Sequence, residues 1–515
     1  MPGAHPTRVA AIDAGSNAVR LMVADVGPGG AFKVVAEERE PTQLAKGLRP
    51  GGRLSSDAIE ASAQAIAQFV QRAQSLNAKA IRAVATAAVR DAINGHELVN
   101  LVLREHGVRL EVISPQQEGG LAYLSLARRF EISDLPAAAL DIGGGSAQLV
   151  FAAHAMPIRA VSVPLGAVML TTEFGGWTAM ATKQFPRFRH HVDRLIAQAL
   201  KAAPVKPAVL VGTGGTVTAV ASLAHPARPG KKQDSSVDHT SLKQLIQTFR
   251  SAAPTLPPIA ANLPADRAEI LFAGLVVLER MADLMGIDTV HAHAGGIREG
   301  ICWSLAEGLG TPPVPAMDGV RAFALRCRYE RDHSEHVTRL CTSIFGQLKK
   351  TPAVKRARKH EPRALELLQA AAVLHDIGTV VDFERHHKHS RDMILCAELP
   401  GFDQRESVIL ANLARYHRRT GPRKSHNLFA SLNKRDQDLV RTLTAILRLA
   451  DGLDRSHTQT VARAKVTIGR KAAEIVVTAA TPAKAEIRAA KAKGDVFTQV
   501  FGVTLNVAAP KAKPL

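Results

Sequence analysis

The chain carries the same strand–aspartate–glycine–strand unit twice, and this duplication restricts its fold more than any other feature. Residues 138–151 read A-A-L-D-I-G-G-G-S-A-Q-L-V-F, and residues 10–23 read A-A-I-D-A-G-S-N-A-V-R-L-M-V. Aligned without gaps, Asp13 falls on Asp141, Gly15 on Gly143 and Leu21 on Leu149. Two apolar runs joined by so short a glycine turn predict a β-hairpin. Gly143, Gly144 and Gly145 have no Cβ, so successive backbone N–H groups can converge on an anion, and Ser146 adds a hydroxyl donor. Gly15, Ser16 and Asn17 occupy the turn of the first copy. Asp13 and Asp141 end the incoming strands, where each can hold a hydrated divalent cation against that anion. No Lys follows the glycines and no helical pattern follows the turn, so neither copy is a Walker loop or a dinucleotide fingerprint. Two units one small domain apart predict duplicated halves that offer their loops to a shared cleft.

Strand and helix patterns alternate around these hairpins, which indicates an α/β domain. Phe32–Glu38, Ala80–Ala85 and Arg109–Ser114 read as strands. Residues 55–75 have helical apolar spacing, with Ser55, Ser56 and Asp57 as a start signal. Thr86-Ala-Ala-Val-Arg90 opens a helix, and S-P-Q-Q-E-G-G precedes a helical Leu121–Phe130. In the second half a helix over about 183–202 leads to strand Ala208–Val211. That strand runs into Gly212-Thr213-Gly214-Gly215-Thr216, a third phosphate-type loop, and His291–Ile301 supplies a fourth glycine turn.

With 515 residues, 46% of them hydrophobic, the chain can fill three or four cores. It has no apolar run of 18 residues, and the start M-P-G-A-H-P-T-R lacks a signal-peptide core. Four cysteines without a C-x-x-C pair suit a reducing compartment, so a cytoplasmic protein is expected, with no membrane contact. The net charge of +20 is uneven: residues 1–305 hold 30 Lys+Arg against 25 Asp+Glu, and residues 306–515 hold 36 against 21. A basic half suits a polyanionic partner. Aromatics are only 4% of the chain, too few for base stacking, which argues against nucleic acid.

Six ordered motifs then carry a family resemblance. D-A-G-S-N at 13–17, T-A-A-V-R at 86–90, Q-E-G at 117–119, D-I-G-G-G-S at 141–146, G-T-G-G-T at 212–216 and G-G-I-R-E-G at 295–300 resemble the exopolyphosphatases and guanosine pentaphosphate phosphohydrolases. That family lies in the actin-like, sugar-kinase-like ATPase superfamily, and the resemblance spans about residues 8–306. It implies two ribonuclease-H-like lobes, 1–135 and 136–310, with phosphate loops facing across a cleft. By resemblance Glu118 is the catalytic carboxylate. Members often carry two carboxylates there, whereas Gln117 precedes Glu118 in this chain. Arg90 is expected to complement phosphoryl charge beside the Gly15–Asn17, Gly143–Ser146 and Gly212–Thr216 loops, with Mg²⁺ or Mn²⁺ at Asp13 and Asp141. The resemblance also implies a homodimer.

Beyond Thr311-Pro-Pro-Val-Pro315, read as a linker, the pattern turns helical. His336, His375–Asp376 and Asp451 fall in the order and helical context of the HD phosphohydrolase superfamily, so residues 316–456 resemble an HD-type domain. Two His and two Asp suit a second divalent metal, with His389 and His417 as further donors. Residues 461–507 look strand-rich and are expected to form a small terminal module, 457–515, ending in a disordered A-P-K-A-K-P-L tail. The expected activity is metal-dependent, processive removal of the terminal phosphoryl group of inorganic polyphosphate by direct water attack. A pppGpp 5′-phosphohydrolase and a non-catalytic polyphosphate or alarmone sensor are the alternatives.

Overall fold

The computed structural model describes residues 6–27, 31–45, 48, 52–129, 135–154, 156–225, 236–261, 263–310 and 315–509. The chain divides into two compact units, residues 1–312 and 313–515. Most of the linker read at 311–315, and the tail from 510 onward, lie outside the described residues.

Unit 1 holds two sheets built to one plan. In the first, β1 (Thr7–Ala14), β2 (Val19–Val26), β3 (Phe32–Glu40), β4 (Ala80–Ala85) and β5 (Leu110–Val112) stand in the order β3-β2-β1-β4-β5. In the second are β6 (Ala137–Ile142), β7 (Ala147–Ala153), β8 (Met156–Val163), β9 (Val209–Thr213), β10 (Ser236–Asp238) and β11 (Thr289–His293). Their order is β10-β11-β9-β6-β7-β8. Both sheets begin with an antiparallel meander and continue in parallel on the other side of the first strand. The hairpins match to the residue: Asp13 pairs with Arg20 and Asp141 with Gln148. Each turn closes by the same bond, Gly15 N–H to Ala18 O at 3.2 Å and Gly143 N–H to Ser146 O at 2.9 Å. The apolar runs that predicted strands are buried on both faces, as parallel-type sheets require.

The helix Ser56–Ser75 starts where its cap predicts, Ser55 Oγ accepting from the Ala58 N–H. The helix Ala265–Met285 is buried round most of its circumference and packs with Phe151, Phe188, Phe249 and Phe272 in the largest apolar core. Each such phenylalanine contributes about 1.5–3 kcal/mol by leaving water. The helix Pro115–Arg129 begins earlier than the sequence suggests, Pro115 serving as a first-turn residue. It lies on the second sheet through Gly119, where a Cβ would stand 2.7 Å from Ala160 Cβ and 2.8 Å from Val150 Cγ2.

Unit 2 is helical as far as Gly452. Its principal helices are Arg331–Leu348, Ala364–Leu374, His386–Cys396, Gln404–Tyr416 and Lys434–Gly452. Strands β12 (Val461–Ile468), β13 (Ala472–Ala479) and β14 (Thr504–Ala508) form a small sheet in the order β12-β13-β14. The run V-F-T-Q-V-F, read as strand, is a helix instead, Asp495–Phe501. Val496 and Phe497 recur at i+4 as Val500 and Phe501; the two Phe rings meet at 4.4 Å, and Gly502 at φ +67° ends the helix.

Candidate active site

Between the two sheets of unit 1 lies a cavity of about 450 Å³. The two hairpin turns converge on it, a Cβ on Gly145 standing 3.1 Å from Ser16 Oγ. Of the residues expected from the sequence, Asp13, Gly15, Ser16, Asn17, Glu118, Asp141, Gly143, Gly144, Gly145, Ser146, Gly214, Gly215 and Thr216 line it.

Three expected residues do not. Arg90 ends the short helix Ala87–Asp91, and its Nη1 donates to Ile113 O and to Glu118 Oε2, both at 3.0 Å. It therefore holds the carboxylate rather than forming cavity wall. Gly212 is a mid-sheet residue of β9, where a Cβ would stand 2.6 Å from Val217 Cγ1. Thr213 is buried behind it, its Oγ1 without a partner. Gly214 alone of that strand end serves the site directly. Its φ is +84°, and a Cβ would stand 2.5 Å from Asp141 Oδ1, so only glycine admits this approach.

Three arginines on the cavity wall were not assigned from the sequence: Arg20, Arg267 and Arg298. Arg298 Nη1 donates to Leu21 O at 3.2 Å and meets Glu37 at 3.1 Å. Arg20 stands opposite Asp13 in the hairpin, where the second copy has Gln148, and this asymmetry between the copies was its available signal. Arg298 lies within the quoted G-G-I-R-E-G run.

These charges set the state of three carboxyls. Burial pushes Glu118 up to about 7, with Arg90 opposing and Asp13 and Asp141 assisting. Burial likewise pushes Asp141 up to about 6, against Arg20 and with Asp13. Asp13 is raised by burial against Arg20 and Arg298, and its Oδ1 is buried without a hydrogen-bond partner. Two buried, under-compensated carboxylates side by side are a cation site in their charge and their donor chemistry.

In unit 2 the structure places His375, Asp376, Asp451 and His417 together, and substitutes His333 for the expected His336. Three residues advance a helix by about 4.5 Å and turn it about 60° off the facing direction. His336 accordingly turns to Arg339, whose Nη2 lies 3.0 Å from Nδ1. His389 faces Asp382 at 4.0 Å, and His386 takes the place expected of it in the cluster, 3.1 Å from Asp376 Oδ1.

A profile of the Ppx/GppA phosphatase family matches residues 22–308, more than half of the chain. The chain belongs to the Ppx/GppA phosphatase family. The profile of domain III of that family matches residues 317–488. Among solved structures, the Ppx/GppA family member of Aquifex aeolicus is 27% identical with a TM-score of 0.51, over 59% of this chain and 99% of its own. An exopolyphosphatase from Cytophaga hutchinsonii is 20% identical with a TM-score of 0.52, over 59% of this chain and 98% of its own, a likeness of fold. The two sheets of unit 1 are thus the actin-like lobes of a Ppx/GppA phosphatase. No described helix is long and apolar enough to cross a membrane.

Proposed function

We propose that the chain is an exopolyphosphatase that hydrolyses the terminal phosphoryl group of inorganic polyphosphate. One observation carries the reading: Glu118, with a carboxyl tuned to about 7, lines the cavity on which both glycine hairpins converge. In this reading the backbone N–H groups of the turns at Gly15–Asn17 and Gly143–Ser146 hold the terminal phosphoryl oxygens. Glu118 accepts the proton of the attacking water and Arg90 fixes its rotamer. Phosphoryl transfer asks mainly for positioning and charge neutralisation, so one carboxylate suffices without a helper at Gln117. Asp13 and Asp141 would hold Mg²⁺ or Mn²⁺, which supplies charge neutralisation at the phosphate oxygens when bound.

Family membership supports the phosphatase class, and the charge of unit 2 favours a long polyanion. There the helix Pro352–His360 contributes Arg356, Lys359 and His360 to a cavity of about 650 Å³ shared with Arg435 and Arg441. The direct test is phosphate release from purified protein offered long-chain polyphosphate and, separately, pppGpp. Faster turnover of pppGpp at matched concentration would overturn the preference. The affinity for long chains should also fall steeply with salt and that for pppGpp shallowly. Arg356→Ala, Arg435→Ala and Arg441→Ala should each lower the long-chain slope of log K against log[salt] by about one and leave pppGpp unaffected. Equal slopes for both substrates would remove unit 2 from substrate binding.

A pH profile tests the base. Glu118 accepts a proton only when ionised, so kcat/KM should decline as pH falls through about 7. Arg90 lowers the Glu118 value, so Arg90→Ala should move that limb to higher pH. An unmoved limb would mean that another group titrates.

A further inference from the structure

The cluster in unit 2 is arranged as a site for two metal ions rather than one. Six side chains converge from different parts of the helical unit: His333, His375, Asp376, His386, His417 and Asp451. The two oxygens of Asp376 face opposite histidine pairs. Oδ2 lies 3.8 Å from His333 Nε2 and 3.6 Å from His375 Nε2. Oδ1 lies 3.1 Å from His386 Nε2 and 3.3 Å from His417 Nε2. Asp451 Oδ1 joins the first pair, 3.8 Å from His333 Nε2 and 4.0 Å from His375 Nε2, while its Oδ2 is held by Lys493 Nζ.

The outer hydrogen bonds determine what the inner nitrogens offer. His375 Nδ1 lies 2.8 Å from Ala372 O, His386 Nδ1 2.7 Å from Phe383 O and His417 Nδ1 2.7 Å from Ala414 O. A carbonyl oxygen only accepts, so each of these Nδ1 atoms carries the proton. His333 Nδ1 lies 2.9 Å from the fully buried carboxylate of Asp454, with the same consequence. Neutral imidazoles locked in this tautomer present four Nε2 lone pairs to the interior. Those lone pairs meet head-on, at 3.2 Å for His333 with His375 and 3.1 Å for His386 with His417. Facing lone pairs beside two carboxylates need positive charge among them. Protons on Nε2 would supply it at the cost of charged imidazoles buried in the fold, and metal ions supply it with every donor used.

We propose that unit 2 binds two divalent first-row transition-metal ions bridged by Asp376, one held by His333, His375 and Asp451 and the other by His386 and His417. Imidazole with carboxylate favours Mn²⁺, Fe²⁺ or Zn²⁺ over Mg²⁺. The bridging carboxylate suits ions about 3.5–4 Å apart, the spacing of two-metal phosphoester hydrolysis. The surroundings suit a phosphate ester as substrate. Arg418 Nη1 lies over the His386 ring, 3.1 Å from Nδ1 and 3.4 Å from Nε2, and the cluster opens to solvent at Asp376. Phe383, 66% exposed and 5.8 Å from the His386 ring, offers an apolar face to the organic part of the ester. In the reaction, water shared by the two ions loses a proton and forms the new P–O bond, the ester P–O bond breaks, and the leaving oxygen takes a proton. This centre is independent of Glu118 and of the unit 1 cavity.

The experiment uses the full chain, stripped with a chelator, reloaded with Mn²⁺ or Zn²⁺, desalted and assayed for metal by plasma mass spectrometry. Wild type should retain about two ions per chain that depend on the cluster. His375→Ala and His417→Ala should each lose one, Asp376→Asn should lose both, and His336→Ala, which faces away, should lose none. In a Glu118→Gln background, Mn²⁺-dependent hydrolysis of p-nitrophenyl phosphate or bis(p-nitrophenyl) phosphate should persist and should vanish on adding Asp376→Asn. Circular dichroism checks each variant for folding, and the wild-type count needs no variant. Fewer than one ion retained, or the same count in His375→Ala, His417→Ala and wild type, overturns the site. One ion lost by every cluster variant overturns the bridge. Two ions without hydrolysis of either ester overturns the assigned chemistry. The first of the two esters to be cleaved distinguishes a monoester from a diester centre.

Discussion

Replacing Glu118 by glutamine should lower phosphate release by about 10²–10⁴-fold while leaving substrate binding nearly unchanged. The amide keeps the shape of the side chain and can still meet Arg90, so the first turn of the helix Pro115–Arg129 should stay in place. It cannot accept the proton of the attacking water. The loss should therefore fall on kcat, because the hairpin N–H groups that hold the phosphoryl oxygens are untouched. With Gln117 as its neighbour, no second carboxylate stands ready to take over. The measurement is kcat and KM on polyphosphate, with binding followed separately. Near-wild-type turnover would take Glu118 out of the mechanism, and a loss confined to KM would make it a binding group.

The second large effect belongs to the aspartates. Asp141→Asn should cost about 10²–10³-fold in rate at fixed Mg²⁺, the scale of one lost electrostatic contact to the transition state. Part of the loss should be recovered by raising Mg²⁺, because the variant removes one of two buried charges that attract the ion. Asp13→Asn should behave alike, since Asp13 holds the same place in the matching hairpin and its Oδ1 is buried without a partner. Asparagine also weakens the fit at Gly214, whose backbone packs against the Asp141 carboxylate, so thermal unfolding should be recorded alongside the Mg²⁺ titration. Unchanged Mg²⁺ dependence in both variants would leave the two aspartates a purely structural role.

The lobes of unit 1 were legible because their signals are local. An aspartate at a strand end, a glycine turn and a second apolar run lie within 14 residues, and the turn bond that closes them forms between residues three apart. Repetition then fixed the plan of both sheets. Glu118 was legible as a motif residue, but its state was not, since its shift to about 7 comes from burial and from Arg90, Asp13 and Asp141, which are distant in the chain. The same distance hid the role of Arg90: nothing in T-A-A-V-R shows that its guanidinium reaches Ile113 O and Glu118 across 23 and 28 residues.

Unit 2 marks the division more sharply. The run H-S-E-H offers two histidines one helical turn apart, and composition cannot choose between His333 and His336. Packing chooses, because only His333 faces Asp376 and Asp451 from the helix Arg331–Leu348. His386 and His389 pose the same ambiguity and are resolved the same way, in favour of the residue whose Nε2 meets His417. The terminal run V-F-T-Q-V-F fits a strand by its residue types and a helix by its i,i+4 repeats, and burial of Val496 and Phe497 decided for the helix. The sequence by itself therefore determined the residue types, their order and every contact made within a turn or a helix. The tertiary structure alone decided which side chains meet, because the facing of a helix and the depth of a carboxylate are set by neighbours that arrive from elsewhere in the chain.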